Sequence, residues 1–339
     1  MSYARKKGVV LSPKKYFIDA LGAMALGLFA SLLIGTIFGT VADYVTHRQT
    51  HDFLLKMQEY AVAAQGPAMA MAIGSALGAQ GLVLFSLCAV GAAGNTLGGP
   101  LGTYIAVLVS CEIGKLVYKS TKVDIIVTPT VTIAVGVGMS LLTGPAISGI
   151  MSQLGKLIMT FTEMQPLIMG ALVSVVVGIC LTLPISSAAI CAMLGLTGIA
   201  GGAATAGCCA QMVGFAVMSF AANKWGGLIA QGLGTSMLQM GNIVRKPVIW
   251  IPPIITSAIT GALSAFVFKM ENPVAIASGM GTCGLVGPIG VLSAKGISVE
   301  DVFVMFLLCF ILPGVLTWLI AKPFKKLGII KNSDLKLDI

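Results

Sequence analysis

Charged residues are confined to short stretches, and between them the chain runs uncharged over residues 20–42, 60–111, 125–155, 164–223, 247–268, 272–294 and 302–321. A helix needs roughly 20 predominantly apolar residues to cross ~30 Å of hydrocarbon. Several of these runs therefore hold one crossing, and the two longest hold two or more elements. The pattern predicts an all-α integral membrane protein, a polytopic helical bundle of about 8–10 spans. Single spans are expected at 17–41, 125–142, 165–183, 208–222, 247–268 and 302–321, with at least two elements inside 66–118. Residues 43–65 are polar, but Phe53, Leu54, Met57, Tyr60 and Ala61 recur at helical spacing, which predicts a short helix at the membrane surface. Over 145–163 an apolar face (Ile147, Ile150, Met151, Leu154, Leu157, Ile158, Phe161) opposes a polar one (Ser148, Ser152, Gln153, Lys156, Thr160), which predicts an amphipathic connector. Residues 224–241 are Gly-rich and leave three outcomes open: crossing, lying flat or re-entering.

The expected organisation is a basic tail at 1–16, a first membrane half at 17–144, the connector at 145–164, a second membrane half at 165–322 and a basic tail at 323–339. Weak internal similarity supports two related halves. The stretch from Lys122 resembles the stretch from Lys246, with Pro129 and Pro253 in register, and residues 29–35 resemble 172–178. Internal repeats of this kind are a common plan for transporters.

Glycine interrupts the apolar runs in three dense clusters, 91–102, 184–207 and 278–290. Non-helical backbone at membrane depth survives only where protein or a water-filled cavity satisfies its N–H and C=O groups. The clusters therefore predict Gly-rich re-entrant or broken helices, with hairpins near 184–207 and 272–293. The plainer alternative is close helix packing through small residues. Each cluster mixes glycine with small hydrogen-bonding side chains suited to an uncharged polar solute. With the strongly polar residues inside or beside apolar stretches, they give a candidate substrate-binding set of Asn95, Thr96, Glu112, Ser186, Ser187, Thr205, Gln211, Asn272 and Thr282. Glu112 has two readings: a surface ion pair with Lys115, or a carboxylate that accepts solute hydroxyls or a proton.

Composition sharpens the class. Of 339 residues, 57% are hydrophobic and 10% charged, against about a quarter charged in soluble domains. The net charge of +9 comes largely from Arg5, Lys6, Lys7, Lys14 and Lys15 before the first span and Lys322, Lys325, Lys326, Lys331 and Lys336 after the last. Such clusters flank spans rather than bind nucleic acid, and the positive-inside rule places both termini in the cytoplasm. The first apolar run is too long for a signal-peptide core and reads as an anchor. The eight cysteines show no CxxC spacing and read as small buried hydrophobes. His47 and His51 are four apart and able to share a helix face, as a metal pair would, but an exposed loop is the plainer reading. No phosphate-binding GxxxxGK[ST], HExxH or GxSxG motif occurs, so no self-contained catalytic site, metal or cofactor is expected.

Three segments carry a family resemblance: Pro184-Ile-Ser-Ser-Ala-Ala-Ile190, Gly201-Gly-Ala-Ala-Thr-Ala-Gly-Cys-Cys-Ala-Gln-Met-Val-Gly214 and Asn272-Pro-Val-Ala-Ile-Ala-Ser-Gly-Met-Gly281. In this order, with the proline-interrupted stretch 122–136, the chain resembles the membrane permease (IIC) subunits of the bacterial phosphoenolpyruvate-dependent sugar phosphotransferase system. Within it, the likeness is to the compact stand-alone IIC-like group, over roughly residues 19–326. The resemblance implies a homodimeric, multi-pass permease of the bacterial plasma membrane that binds a sugar between re-entrant hairpins. It also implies separate IIB and IIA phosphocarrier proteins as partners, so that the chain is at most the membrane component of a phosphotransferase complex. Such permeases typically carry a glutamate in a Gly-rich hairpin and often a histidine. Here the Gly clusters contain neither, and the nearest acids are Glu271 and Glu112. Transport of another solute without phosphorylation, and a non-transporting membrane sensor, remain alternatives on the residues alone.

Overall fold

The computed structural model describes residues 3–9, 12–294 and 298–337. The outer ends of both expected tails (1–2 and 338–339), residues 10–11 and the side chain of Arg5 lie outside the described residues. Every regular element described is helical, apart from one isolated antiparallel bridge between Gly198 and Asn272. Six helices among the described residues are long and apolar enough to cross a membrane, and two more, Pro166–Thr182 and Cys283–Leu292, are apolar but shorter. The polytopic helical class expected from the hydropathy pattern therefore holds. The chain divides into two compact units, 1–150 and 151–339.

In the first unit, α1 (Lys15–Ala42) is followed by α2 (Arg48–Ala63), α3 (Gln65–Ala76) and α4 (Gly81–Val117). Helix α2 buries none of its residues. It lies along the end of α1, where Gly35 and Gly39 make room for Val62 and Gln58. Helix α4 is one element only in name. At Gly99 the backbone takes φ 60°, ψ −155°, a conformation essentially reserved for glycine, and Pro100 restarts the helix from a position where a missing N–H costs nothing. The chain then runs back on itself. A side chain added at Gly94 would meet Thr103, one at Gly114 would meet Val83, and one at Gly81 would meet the Tyr118 hydroxyl. The two arms, 81–98 and 100–117, are each ~27 Å long at 1.5 Å per residue. The expectation of two membrane elements divided within 91–102 is thus met by a helical hairpin whose first arm stays helical through most of the glycines. Gly91 has a packing role, since a Cβ there would overlap the Gly66 carbonyl oxygen of α3.

The predicted span 125–142 and the amphipathic segment 145–163 lie in one continuous helix, α5 (Asp124–Thr162), with Pro129 and Pro145 inside it. Its buried hydroxyls close on the turn before: Thr132 donates to the Thr128 carbonyl and Ser140 to the Gly136 carbonyl. Polar side chains satisfied in this way sit in apolar surroundings without exposed hydrogen-bonding groups.

The second unit is built around α8 (Gly198–Met218), 83% of whose most apolar window is buried. It packs against α6 (Pro166–Thr182), α11 (Pro247–Val267) and α14 (Val299–Lys326). Short α7 (Ser187–Leu194) precedes it, ended by Gly195 in the left-handed conformation. The Gly-rich run 195–207 therefore breaks the helix only at Gly195–Gly198. The span expected at 208–222 begins ten residues earlier, because Gly201, Gly202 and Gly207 are helical. Their lack of a side chain serves backbone contact: a Cβ on Gly202 would overlap the Met270 carbonyl, and one on Gly207 the Ser174 carbonyl.

After α8 the chain reverses at Lys224 (φ 52°, ψ −149°) inside α9 (Phe220–Ile229). It runs back so that Gln231 Nε2 reaches Ser219 Oγ at 2.8 Å. An extended residue, Thr235, and a 3-10 turn lead to α10 (Met240–Arg245). The ambiguous stretch 224–241 is thus a returning arm followed by a buried turn.

The expected C-terminal tail is also folded. Helix α14 continues to Lys326, and Ile330 and Leu335 are almost fully buried. Asn223 Nδ2 donates to the Leu335 carbonyl at 2.8 Å and its Oδ1 accepts from the Leu337 amide at 2.8 Å. Gln239 and Asn242 donate to the carbonyls of Leu335 and Lys336. Lys246 pairs with Asp334 at 2.6 Å.

Two outcomes follow. A side chain at the Lys224 reversal costs ~1–3 kcal/mol, while glycine adds ~0.5–1 kcal/mol of chain entropy. Lys224→Gly is therefore expected to stabilise the protein by about 1 kcal/mol, read as a raised Tm in neutral detergent; a lowered Tm would contradict the reversal. At Asp334 burial raises the pKa, but hydrogen bonds from the Lys246 ammonium and the Lys331 amide outweigh it and the net shift is downward. A folded-state pKa below the ordinary ~3.9 stabilises the docked segment above that value, and the contribution is lost as pH falls through the lower one. An acid-active protease should cut the C-terminal segment faster as pH drops from ~5 to ~3, and Asp334→Asn should flatten that dependence.

Candidate functional site

The second unit brings its irregular backbone to one place. Residues 268–285 leave α11, pass through α12 (Ala275–Ser278) and turn through three left-handed positions, Gly281 (φ 55°), Gly284 (φ 54°) and Leu285 (φ 64°). Helix α13 (Val286–Leu292) then returns. This hairpin lies against the face of α8 that carries Gly201, Thr205 and Cys208: Ser278 approaches Gly201, and Gly281 approaches Cys208. Positions 201, 205 and 208 share a helix face by the i, i+4, i+7 rule, and their small size lets the broken backbone in.

Asn272 organises the contact. Its backbone amide and carbonyl exchange two hydrogen bonds with Gly198, at 3.0 and 2.9 Å. Its side chain donates to Thr205 Oγ1 at 2.9 Å and accepts from the Val274 amide at 3.0 Å. Ser187 Oγ, at the start of α7, donates to the Gly279 carbonyl at 2.6 Å. Thr282 Oγ1 donates to the Gly232 carbonyl of the returning arm. Ser186 accepts from the Ala189 amide and caps α7. Ser187, Thr205, Asn272 and Thr282 are all buried, and each bond fixes an end of interrupted helix that would otherwise leave a carbonyl or amide bare.

Gln211 belongs to a second network on the same helix. Its Oε1 accepts from Trp250 Nε1 at 2.8 Å and from Thr182 Oγ1 at 3.3 Å, and its Nε2 donates to Ser257 Oγ at 3.1 Å. Thr182 also pairs with Ser236 at 2.8 Å. Trp250, Ser257 and Ser236 were not among the residues singled out from sequence. Nothing in a linear pattern marks them, because the partners lie 39, 46 and 54 residues from theirs.

The remaining three candidates lie in the first unit and do not form one cluster there. Asn95 is half-buried near the tip of the α4 hairpin, and exposed Thr96 bonds back to the Ala92 carbonyl. Glu112 sits on the return arm, ~20 Å from the Gly99 tip by helical rise. Its pair with Lys115, at 2.8 Å, is a buried one: the side chains are 14% and 5% exposed. Lys115 spends its other two protons on the carbonyls of Gly8 and Leu77, at 3.2 and 3.0 Å. With all three donors used, the ammonium closes the end of α3 and holds the N-terminal segment, so of the two readings of Glu112 the pair with Lys115 is formed, as an internal brace rather than at the surface.

Glu271 lies at the entry of the 268–292 hairpin, immediately before the bridged Asn272, and is half-buried. The hydroxyls and amides at this hairpin are thus committed to bonds within the protein, and Glu271 is the carboxylate that stands beside them. Among the described residues no group of three or more His, Cys, Asp or Glu side chains converges to hold a metal ion.

Burial and satisfaction fix what each substitution costs. Gln211→Leu leaves the part-buried Trp250 N–H without its acceptor, at ~1–3 kcal/mol for the unsatisfied group, and takes one of several partners from the Thr182 and Ser257 hydroxyls. It is expected to lower stability by at least about 2 kcal/mol in chemical or thermal unfolding, whereas half-buried Asn95→Ala should cost about 0.5 kcal/mol or less.

No curated protein and no solved structure matches the chain. One family model does, that of the phosphotransferase system EIIC proteins, and it covers residues 18–337. The match runs through the described spans, the α4 hairpin, the hairpin of residues 268–292 and the docked C-terminal segment, and with this coverage the chain belongs to the EIIC family, the membrane-embedded permease class of the phosphotransferase system.

Proposed function

We propose that the protein is a sugar permease that binds its solute at the hairpin of residues 268–292 and carries it inward for phosphorylation by a separate IIB protein, itself charged by IIA. The observation that carries this reading is the placement of Glu271 and Asn272 at the entry of a non-helical hairpin pressed against the Gly201–Thr205–Cys208 face of α8. A carboxylate beside such a hairpin is what a phosphotransferase permease needs to orient the sugar hydroxyl that receives the phosphoryl group. In this reading Asn272, Thr205, Ser187 and Thr282 hold the hairpin in shape, and Glu271 with the adjacent main chain meets the sugar. Ser186 and the Gln211 network support α7 and α8 behind it, and Asn95 and Thr96 serve the corresponding hairpin tip of the first unit. The working form is a homodimer in the bacterial plasma membrane with both termini cytoplasmic, in keeping with the basic flanks of the first and last spans.

Reconstituted vesicles test this directly. Sugar-phosphate should accumulate only when IIB and a phosphoryl donor are supplied together. Glu271→Gln should reduce that accumulation by about tenfold to a thousandfold, the range of a lost general acid–base or positioning group, with Tm unchanged. Accumulation of free solute without a phosphoryl donor would overturn the phosphotransfer step, and ligand binding with no flux would replace transport by sensing.

A further inference from the structure

Helix α14 is 28 residues long, or ~42 Å at 1.5 Å per residue, and its last turns extend past ~30 Å of hydrocarbon. Where it leaves, a cleft of about 340 Å³ opens, lined by Met218, Trp318, Ala321, Lys322, Lys325 and Lys326. Lysines after a span ordinarily fan into water as orientation signals. Here three converge on a single cleft whose walls are otherwise apolar and which no acidic side chain lines. Lys322 Nζ stands 5.0 Å over the Trp318 ring, which fixes its ammonium at the cleft. Lys325 Nζ is held by the Met218 carbonyl at 2.8 Å and Asn332 Oδ1 at 2.9 Å. The nearest acid of the docked C-terminal segment, Asp334, is already paired with Lys246. The cleft therefore combines uncompensated positive charge with an apolar floor at the depth where tryptophan marks the headgroup region.

We propose that this cleft binds one anionic phospholipid, its phosphate between the ammonium groups of Lys322, Lys325 and Lys326 and its glycerol and upper acyl carbons against Met218, Trp318 and Ala321. The apolar floor favours a lipid over a free anion, since inorganic phosphate would meet the lysines and leave the floor bare. Basic pockets at the membrane surface recognise anionic headgroups in this way.

The test uses the full-length protein in neutral detergent, titrated with phosphatidylglycerol, phosphatidylcholine or inorganic phosphate and followed by thermal unfolding and native mass spectrometry. Phosphatidylglycerol should raise Tm and remain bound at one equivalent, and the other two should do neither. Lys322→Gln with Lys326→Gln should weaken retention by about tenfold or more, each ammonium contributing roughly a factor of five. Lys56→Gln with Lys122→Gln, which removes the same charge from exposed positions of the first unit, should leave retention unchanged. Lys325 is spared because it also holds Met218 and Asn332. As an independent reading, brominated phosphatidylglycerol should quench tryptophan fluorescence, and Trp318→Phe should remove that quenching. Equal retention by the Lys322/Lys326 variant, an equal effect of phosphatidylcholine, or quenching that survives Trp318→Phe would overturn the site. Protection by inorganic phosphate as strong as by the lipid would reassign it to a free anion.

Discussion

A helix interrupted inside an apolar slab must find partners for its bare amides and carbonyls within the protein itself, and the second unit is arranged around that demand. The reciprocal main-chain bonds between Gly198 and Asn272 close two interruptions against each other. The start of α8 and the exit from α11 then need no water. The Asn272 amide ties the same point to Thr205 and Val274, and Ser187 and Thr282 secure the far end of the hairpin. Remove the pairing and several unsatisfied groups appear at once, each costing ~1–3 kcal/mol.

Glycine fills two distinct roles, separated by backbone angle. At Gly99 and Gly281 it supplies a conformation that other residues adopt only under strain; at Gly66, Gly91, Gly202 and Gly207 it is an ordinary helical residue whose missing side chain lets two backbones meet. Helix association in membranes relies on such contact because lipid tails are as apolar as leucine. The reversals at Gly99 and Lys224 share nearly the same φ and ψ and stand 125 positions apart, close to the 124 that separate Pro129 from Pro253. Each unit thus contains a helix that doubles back, followed by a proline-bearing helix. The Pro129–Pro253 correspondence of the sequence falls on helices that follow similar reversals, and the lysine at the second reversal explains why no glycine announces it.

The class and most spans were legible because hydrocarbon thickness imposes a length that apolar runs either meet or miss. The hairpin at 272–292 was legible from its glycines. The hairpin expected near 184–207 was legible only in part, because composition does not separate a glycine that turns from one that packs; only Gly195 and Gly198 of that stretch carry a positive φ. The polar candidates were a fair guide to burial. Eight of nine are buried or hydrogen-bonded within the fold, yet partners such as the Gly279 and Gly232 carbonyls and the Trp250 and Ser257 side chains lie far along the chain, where no local spacing encodes them. Glu271 had only a charge in an apolar neighbourhood to mark it. The fold of residues 328–337 had no signal, since Lys331, Asn332, Ser333, Asp334 and Lys336 look like any solvated tail.

That last segment bears on how the protein is made. Asn223 finds its two main-chain partners 112 and 114 residues further along the chain, and Gln239 and Asn242 wait nearly as long. While ribosomes are still adding the later helices, these amides have only one another and water to bind. The contacts around the Lys224 reversal therefore cannot be completed until residues 335–337 have been added, so this region stays open to quality-control proteases for as long as synthesis lasts.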